Sequence, residues 1–438
     1  MRRPQCLSLP EPRNHGWPAA VTAQILIWAI AVASIALMLL RPFGLPEVVW
    51  TVAGAALLCI LRLVPLRLAG HAVGEGLDVY LFLTGMMLLS ELAKVYGVFD
   101  WLANIAVKHG KGSPMRLFTL IYAVGVVVTV FMSNDATAVV LTPAVLTAIN
   151  RAQAKPMPYL LSCALIANAA SFVLPISNPA NLVVFHNAMP PQPKWLTMFA
   201  FPSFVSISVT YVTLLWYSRR DLRGAINGTG IDVELTDAGR ISLIGILGVA
   251  VVLVAVSALK WDLGLPTCLS AAGVAAIVLI RERSSPRRVI REISWSVLPL
   301  VAALYVIVEA VKSAGALAAL HQMFVEIMRR PPAASAFAVG GAIGFATNLV
   351  NNLPLGLLAG ATLQTAPFHP PLSKVVLIGI DLGPNLSITG SLATILWLIA
   401  IRREGMNVSA WQFLKAGMLT MPTALALTLA ASLLFNAH

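Results

Sequence analysis

Long apolar runs, interrupted by short polar breaks, dominate the pattern of this chain. Runs of about 20 residues can each cross about 30 Å of hydrocarbon. They predict spans at 21–40, 48–65, 79–96 and 199–217 in the first half, and at 241–259, 267–280, 297–311 and 413–435 in the second. We therefore predict an all-α polytopic membrane protein.

Four further apolar segments carry polar residues near their centres. Two of them, 117–149 and 334–363, have arms too short for a full crossing, which favours re-entrant helical hairpins. The segments 159–185 and 372–401 are predicted as helices broken at 175–181 and 381–385. Non-helical backbone is tolerated at membrane depth only where protein or a water-filled cavity satisfies it. The four breaks are therefore candidate sites.

The polar positions of the first half recur in the second half at a constant distance. The residues that recur 218 positions later are Glu91, Lys94 and Asn134, whose counterparts are Glu309, Lys312 and Asn352. Each half has five crossings and one hairpin, and an odd number of crossings inverts the second copy relative to the first. We predict a tail at 1–20, inverted repeats at 21–217 and 241–435, and a linker at 218–240.

Composition supports a membrane location, since 58% of residues are hydrophobic and 11% are charged. The net charge of +12 comes from arginines and lysines in short loops, which indicates membrane orientation and not nucleic-acid binding. Their distribution favours a cytoplasmic linker and external termini. The chain has no HExxH, GxSxG or Walker motif and no CxxC pair. We therefore expect a transporter and not an enzyme, with no cofactor and no metal.

The breaks contain carboxylates and amides but neither lysine nor arginine. An aspartate at a helix centre costs about 2.5–3.5 kcal/mol on insertion scales, so we predict that Asp135 and Asp381 serve a function, as proton carriers. The residues predicted to line a polar solute site are Ser133, Asn134, Ser177, Asn178, Asn181, Asn348, Asn351, Asn352 and Asn385. The alternative for some of them, such as Asn134 and Asn178, is simple capping of half-helices.

The lack of basic residues favours a neutral hydroxylated solute, a cation or a proton over a dicarboxylate or a phosphate. Glu91–Lys94 and Glu309–Lys312 are spaced as i,i+3 pairs. They are interpreted either as self-neutralised pairs near helix ends or as a gate or proton path. Two small-residue repeats, Gly340-xxx-Gly344 and Gly356-xxx-Gly360, predict close packing of the hairpin arms.

At these breaks the sequence resembles the arsenite/antimonite efflux permeases, the arsenical pump membrane proteins of the ion transporter superfamily. The resembling stretches are SNDATAVVLTP at 133–143, ISNPAN at 176–181, VNNLP at 350–354, DLGPN at 381–385 and TGSLAT at 389–394. The resemblance implies the ion transporter superfamily fold in a bacterial inner membrane. It also implies export of neutral arsenite or antimonite trihydroxide driven by proton influx, with an elevator-like movement and often as a homodimer.

Some members of that family couple to a soluble arsenical-stimulated ATPase, which is therefore a candidate partner. The first two stretches are shared with sodium/proton antiporters and silicon effluxers, so both activities remain alternatives. An uncoupled metalloid channel is a further alternative, against which the two intramembrane aspartates argue.

Overall fold

The structure, a computed structural model, describes residues 17–185, 189–226, 234–364 and 370–434. Within these ranges every regular element is helical, as the apolar pattern predicts. The helices of the first half are α1 (Trp17–Leu40), α2 (Glu47–Ile60), α3 (Leu66–Glu75), α4 (Leu77–Val95), α5 (Val98–Gly110), α6 (Pro114–Phe131), α7 (Asn134–Ala136), α8 (Thr142–Arg151), α9 (Met157–Ala169), α10 (Pro179–Phe185) and α11 (Gln192–Ser218).

The second half repeats this order of spans, hairpin and broken helix. Its helices are α12 (Asp237–Ala258), α13 (Gly264–Arg281), α14 (Pro286–Glu292), α15 (Val297–Ser313), α16 (Ala316–Met328), α17 (Pro332–Val350), α18 (Asn352–Gln364), α19 (Pro370–Leu382), α20 (Leu392–Arg403) and α21 (Ala410–Leu434). The architecture is the predicted one, with two inverted repeats of five membrane-crossing segments and one re-entrant hairpin each.

Among the described residues, seven helices are long and apolar enough to cross a membrane alone, or up to nine if each bent pair counts as one span. The seven include α6 and α17, the first arms of the two hairpins, so the prediction that the hairpin arms are too short for a crossing was wrong for these two. The bent pairs are α3 with α4, at 48°, and α14 with α15, at 40°. The broken helices α9–α10 and α19–α20 fall outside this count because each arm is short. A membrane crossing that is interrupted by a polar break is not counted when each span must be one continuous helix.

Three predicted boundaries are corrected by the structure. The second span ends at Ile60 and not at residue 65, because the chain turns before Pro65 and begins α3. The first arm of the first broken helix already ends at Ala169, and the second arm begins at Pro179, so the break covers 170–178 and not 175–181. Asp381 lies in the last turn of α19 and not in the second break, which starts at Gly383. A proline disfavours the helical conformation only of the residue directly before it, here Gly383, so α19 can continue through Asp381.

Helices α4 and α13 pack side by side and run in the same direction. A Cβ placed on Gly264, at the start of α13, would collide with the carbonyl oxygen of Asp78, at the start of α4. At their far ends the Tyr96 hydroxyl is 2.9 Å from Ser284 Oγ. We call the side that holds Tyr96 and Ser284 the linker face, because α12 also begins there, with Gly239 against the carbonyl of Tyr96. The side where α4 and α13 begin is the opposite face.

Both glycine repeats lie in close helix contacts, as predicted. The close contacts are with neighbouring helices and not between the two arms of the hairpin. The carbonyl of Gly340 on α17 lies 2.8 Å from the Cβ position of Gly379, and the carbonyl of Gly344 lies still closer to that of Gly383. A Cβ placed on Gly360, on α18, would lie 2.7 Å from the carbonyl oxygen of Val184 on α10. The second hairpin is thereby packed against both broken helices.

The repeat boundaries and the orientation stay predictions. Most of the predicted tail at 1–20 lies outside the described residues, as does the centre of the linker at 227–233.

Candidate functional site

The tip of the first hairpin starts a new helix in the middle of the protein. Ser133 Oγ accepts a hydrogen bond from the Ala136 amide (3.2 Å), and Asn134 Oδ1 accepts one from the Asp135 amide (2.9 Å). A π-helical turn follows at Thr137–Leu141. Thr137 is joined across the hairpin to Thr129, with 2.8 Å between their hydroxyl oxygens. These bonds hold the carboxyl of Asp135, which is partly exposed, at the tip.

The first break is held by side-chain amides that satisfy the freed backbone. Asn178 Oδ1 accepts from the Ala180 amide at 3.0 Å and so caps α10, which confirms the capping interpretation for this residue. Asn181 Nδ2 reaches the carbonyl oxygens of Ser171 (2.8 Å), Leu174 and Pro175. Ser177 Oγ donates to the Val130 carbonyl of the first hairpin at 3.0 Å.

The tip of the second hairpin is tied to the second break. Asn351, at a φ of 76°, caps α18 through Leu353 and donates from Nδ2 to the Thr389 carbonyl at 3.1 Å. Asn348 donates to the Gly383 carbonyl (3.0 Å) and accepts from Ser387 Oγ (2.7 Å). These two asparagines therefore hold the tip in place through groups that the protein itself satisfies.

Asn385 is fully buried and belongs to a polar network that the sequence alone does not reveal. It accepts from Asn168 Nδ2 at 3.0 Å and donates to the Leu165 carbonyl at 2.9 Å. Asn168 Oδ1 in turn accepts from Ser391 Oγ at 3.3 Å. The only local signal for Asn168 is one amide inside an apolar run, which is also the signature of an ordinary buried residue.

A further hydrogen bond between the halves joins the first break to the last turn of α19. Asn178 Nδ2 donates to Asp381 Oδ1 at 2.8 Å, and both residues are buried. Asp381 has no exposed surface, and its Oδ2 accepts no hydrogen bond from the residues that the structure describes. The Oδ1 atom of Asn352 is likewise buried without a partner in the described part of the chain. A buried acceptor without a donor is costly. Asn352 Oδ1 is therefore available to a water or a solute in the small cavity that this residue lines, whereas the enclosed Oδ2 of Asp381 can be satisfied by a proton.

A small central cavity lies where the hairpin tips and the first break meet. Its lining consists of the polar Asn134, Asp135, Asn178 and Asn352 and the apolar Leu83, Pro179, Val297, Val301, Leu353, Leu392 and Ala393. Four predicted site residues are thereby brought together. The lining found among the described residues includes no lysine or arginine.

A second cavity, the vestibule, joins this region to the linker face and has a volume of about 130 Å³. Ser133 and Asp135 line its inner part, and Asp135 thus faces both cavities. The charged residues along the vestibule are Glu91, Lys94, Glu292 and Arg403. Glu292 and Arg403 were not predicted, because neither stands near a break in the sequence.

Both predicted ion pairs form. Lys94 Nζ lies 3.0 Å from Glu91 Oε1 and 3.7 Å from Glu292 Oε2, so it links α4 to α14 beside the vestibule. Lys312 Nζ lies 2.5 Å from Glu309 Oε2 on α15 and lines neither of the two cavities. A role of either pair as a gate or a proton path stays a prediction. Across the described ranges, no group of three or more His, Cys, Asp and Glu side chains could hold a metal ion.

Comparison with known proteins identifies a matching protein family and several relatives. Residues 17–401 match the citrate transporter family. The chain is 24% identical to the arsenical pump membrane protein of Escherichia coli (strain K12), over 93% of this chain and 98% of that one. It is also 24% identical to the arsenical pump membrane protein of Yersinia enterocolitica, with 79% and 83% covered, and to the putative arsenical pump membrane protein of Bacillus subtilis (strain 168), with 89% and 94% covered.

Among solved structures, the chain is similar to the Alcanivorax borkumensis YdaH transporter. The TM-score is 0.55 at 14% sequence identity, and the match covers 94% of this chain and 97% of that one. At this identity the similarity concerns the fold.

Proposed function

Since the chain belongs to the citrate transporter family, we propose that this multi-pass membrane transporter exports arsenite and antimonite as neutral trihydroxides in exchange for protons. The names of the arsenical pump relatives support the substrate, and the chemistry of the central cavity's lining is compatible with it. The observation that carries the proposal is a cavity lining with three amides, one carboxylate and no basic side chain.

The lining argues against citrate itself. A tricarboxylate is normally bound by arginine or lysine side chains that neutralise its charge, and here Asp135 would add repulsion. A trihydroxide presents hydroxyl groups that donate and accept. Together the three amides can match both roles. The Oδ1 atoms of Asn134 and Asn178 are engaged by backbone amides, so these two residues offer amide hydrogens, and Asn352 Oδ1 offers an acceptor.

Asp135 is the proposed proton carrier. It stands between the vestibule and the central cavity, where it can exchange a proton with water in the vestibule and then face the solute. A carboxyl group that is neutral when protonated costs less to carry across the membrane than a charged one. The role of Asp381 as a second carrier stays a prediction, because in this conformation it is enclosed.

An elevator-like movement of the hairpins and broken helices against the remaining spans is proposed as the transport step. The hydrogen bonds among the second hairpin tip, the second break and α10 support movement as one body, since they would all be broken by independent motion. A homodimer and a soluble ATPase partner remain part of the hypothesis.

The test uses everted membrane vesicles with an acid interior, in which exchange for protons drives arsenite inward. We expect accumulation that collapses with a protonophore, and we expect Asp135→Asn to abolish accumulation. Asp262→Asn, an exposed carboxylate at the opposite face, serves as the matched control and should transport normally.

Three results would contradict the proposal in different ways. Sodium-dependent proton efflux that is unaffected by arsenite would identify a sodium/proton antiporter. Arsenite equilibration without accumulation would identify a channel. Proton-driven accumulation by Asp135→Asn at the rate of the unmodified protein would remove Asp135 from the mechanism.

A further inference from the structure

A crevice separate from the central cavity runs between the end of α1 and helix α20, and its volume is about 510 Å³. Its walls are largely apolar, and its end at the linker face is basic. The apolar residues are Leu39, Leu40, Ile388, Ile395, Leu398 and Ile399, and the basic ones are Arg41, Arg402 and Arg403.

Two of the three arginines supply uncompensated charge. Arg41 Nε lies 3.3 Å from Glu47 Oε1 and is therefore neutralised. Arg402 and Arg403 are exposed and form no ion pair with any residue that the structure describes. The nearest acidic residue in sequence, Glu404, lines a neighbouring cavity together with Arg41 and Arg403. The mouth of the crevice therefore attracts anions.

The length of the crevice corresponds to one leaflet of a bilayer. It begins at Ile388 in the second break, at the depth of the central site, and ends at Arg403, the last residue of α20. The 12 residues of α20 rise about 18 Å, close to half of the hydrocarbon thickness of about 30 Å. A free inorganic anion would leave this apolar length unfilled.

We propose that the crevice is a binding site for one anionic phospholipid. Its phosphate lies against Arg402 and Arg403, and an acyl chain follows Ile395 and Leu398 toward Ile388. Basic pockets between membrane helices are a recognised class of lipid site. The lipid would stand between α1 and α20, next to Thr389, whose carbonyl holds Asn351 of the second hairpin. The inference is independent of the transported substrate.

Native mass spectrometry of the purified full chain tests this site. The protein is titrated with dioleoyl phosphatidylglycerol and, separately, with dioleoyl phosphatidylcholine, and retained lipid is counted per chain. We expect one phosphatidylglycerol to be retained preferentially. The double variant Arg402→Gln/Arg403→Gln should lose about 25-fold of that preference, because each arginine near the surface contributes about a factor of five.

The matched control is Arg281→Gln/Arg283→Gln, which removes two arginines from the same face outside the crevice and should keep the preference. Leu40→Trp, at a position that is 77% exposed, fills the apolar part and should lower retention of both lipids. An equal loss in the two arginine pairs would show a general surface-charge effect and overturn the proposal. Undiminished phosphatidylglycerol retention in Leu40→Trp would show binding of the headgroup alone, which also overturns it.

Discussion

Asn178 combines three tasks at the centre of the molecule. Its Oδ1 caps α10, its Nδ2 donates to Asp381, and its side chain lines the central cavity. Because Asp381 accepts one of the two amide hydrogens, the orientation of the amide is set, and its other hydrogen is left for a solute oxygen. We therefore propose that, in this conformation, Asp381 acts on the solute through Asn178.

This arrangement predicts different effects for the substitution of Asp381 by asparagine and by alanine. Asp381→Asn offers an amide oxygen to Asn178 Nδ2, so the KM for arsenite should stay within about threefold. Asp381→Ala removes the acceptor, and loss of a charge-assisted hydrogen bond should raise KM about tenfold or more. Both values come from arsenite uptake by everted vesicles, measured over a range of arsenite concentrations and pH.

The pH profile separates positioning from proton carriage. If arsenite uptake by Asp381→Asn depends on pH as in the unmodified protein, Asp381 serves to position Asn178. Arsenite exchange that persists in Asp381→Asn while proton-driven accumulation disappears would instead establish Asp381 as a carrier.

At the scale of elements, glycines decide how the second hairpin is mounted. Backbone carbonyls of α17 closely approach the Cβ positions of Gly379, on α19, and Gly383, directly after it. Lipid provides no hydrophobic drive for helix association, so such close contact is a main source of cohesion. The hairpin and the broken helix therefore form one rigid element.

Gly379→Ala should consequently destabilise the protein. Its new Cβ would lie 2.8 Å from the Gly340 carbonyl, and overpacking of this kind typically costs about 1–3 kcal/mol. Gly341→Ala is the matched control, because no atom lies within 4 Å of its Cβ position, and alanine is the better helix former. We expect a lower thermal unfolding temperature in detergent for the first variant and an unchanged or higher one for the second. Equal temperatures for the two variants would argue against the close contact.

At the scale of the whole molecule, the two inverted halves are not in equivalent surroundings. Lys94 lines an open vestibule at the linker face, whereas its counterpart Lys312 lines neither that vestibule nor the central cavity. Asp135 and its sequence counterpart Leu353 both face the central cavity. The symmetric fold thus encloses an asymmetric site with access from one face.

The predicted orientation places the linker face in the cytoplasm, which is the side from which an exporter must load. Cysteines are introduced at Arg283 and Lys260, which are exposed beyond opposite ends of α13, in a variant whose four native cysteines are serine. A membrane-impermeant maleimide should label Lys260→Cys in intact spheroplasts and Arg283→Cys only in everted vesicles. The reverse pattern would invert the assigned topology.

The sequence by itself determined the membrane class, the repeat and the location of the breaks. These features follow from local chemistry, since apolar runs must span and polar residues inside them must be satisfied. The four breaks and both ion pairs were predicted in this way, and the cap by Asn178 was the alternative interpretation of that residue. The extent of each break was less accurate, as Asp381 shows, because tertiary packing sets where a helix stops.

Only the tertiary structure decided which polar residues face a cavity and which serve the backbone. Asn352 and Asn385 are both buried asparagines at breaks, yet one lines the central cavity and the other is fully engaged by Asn168 and Leu165. Sequence cannot separate them, because the partners are about 220 positions away. Access to a solute depends on how the halves interlock, and that arrangement is a property of the whole fold.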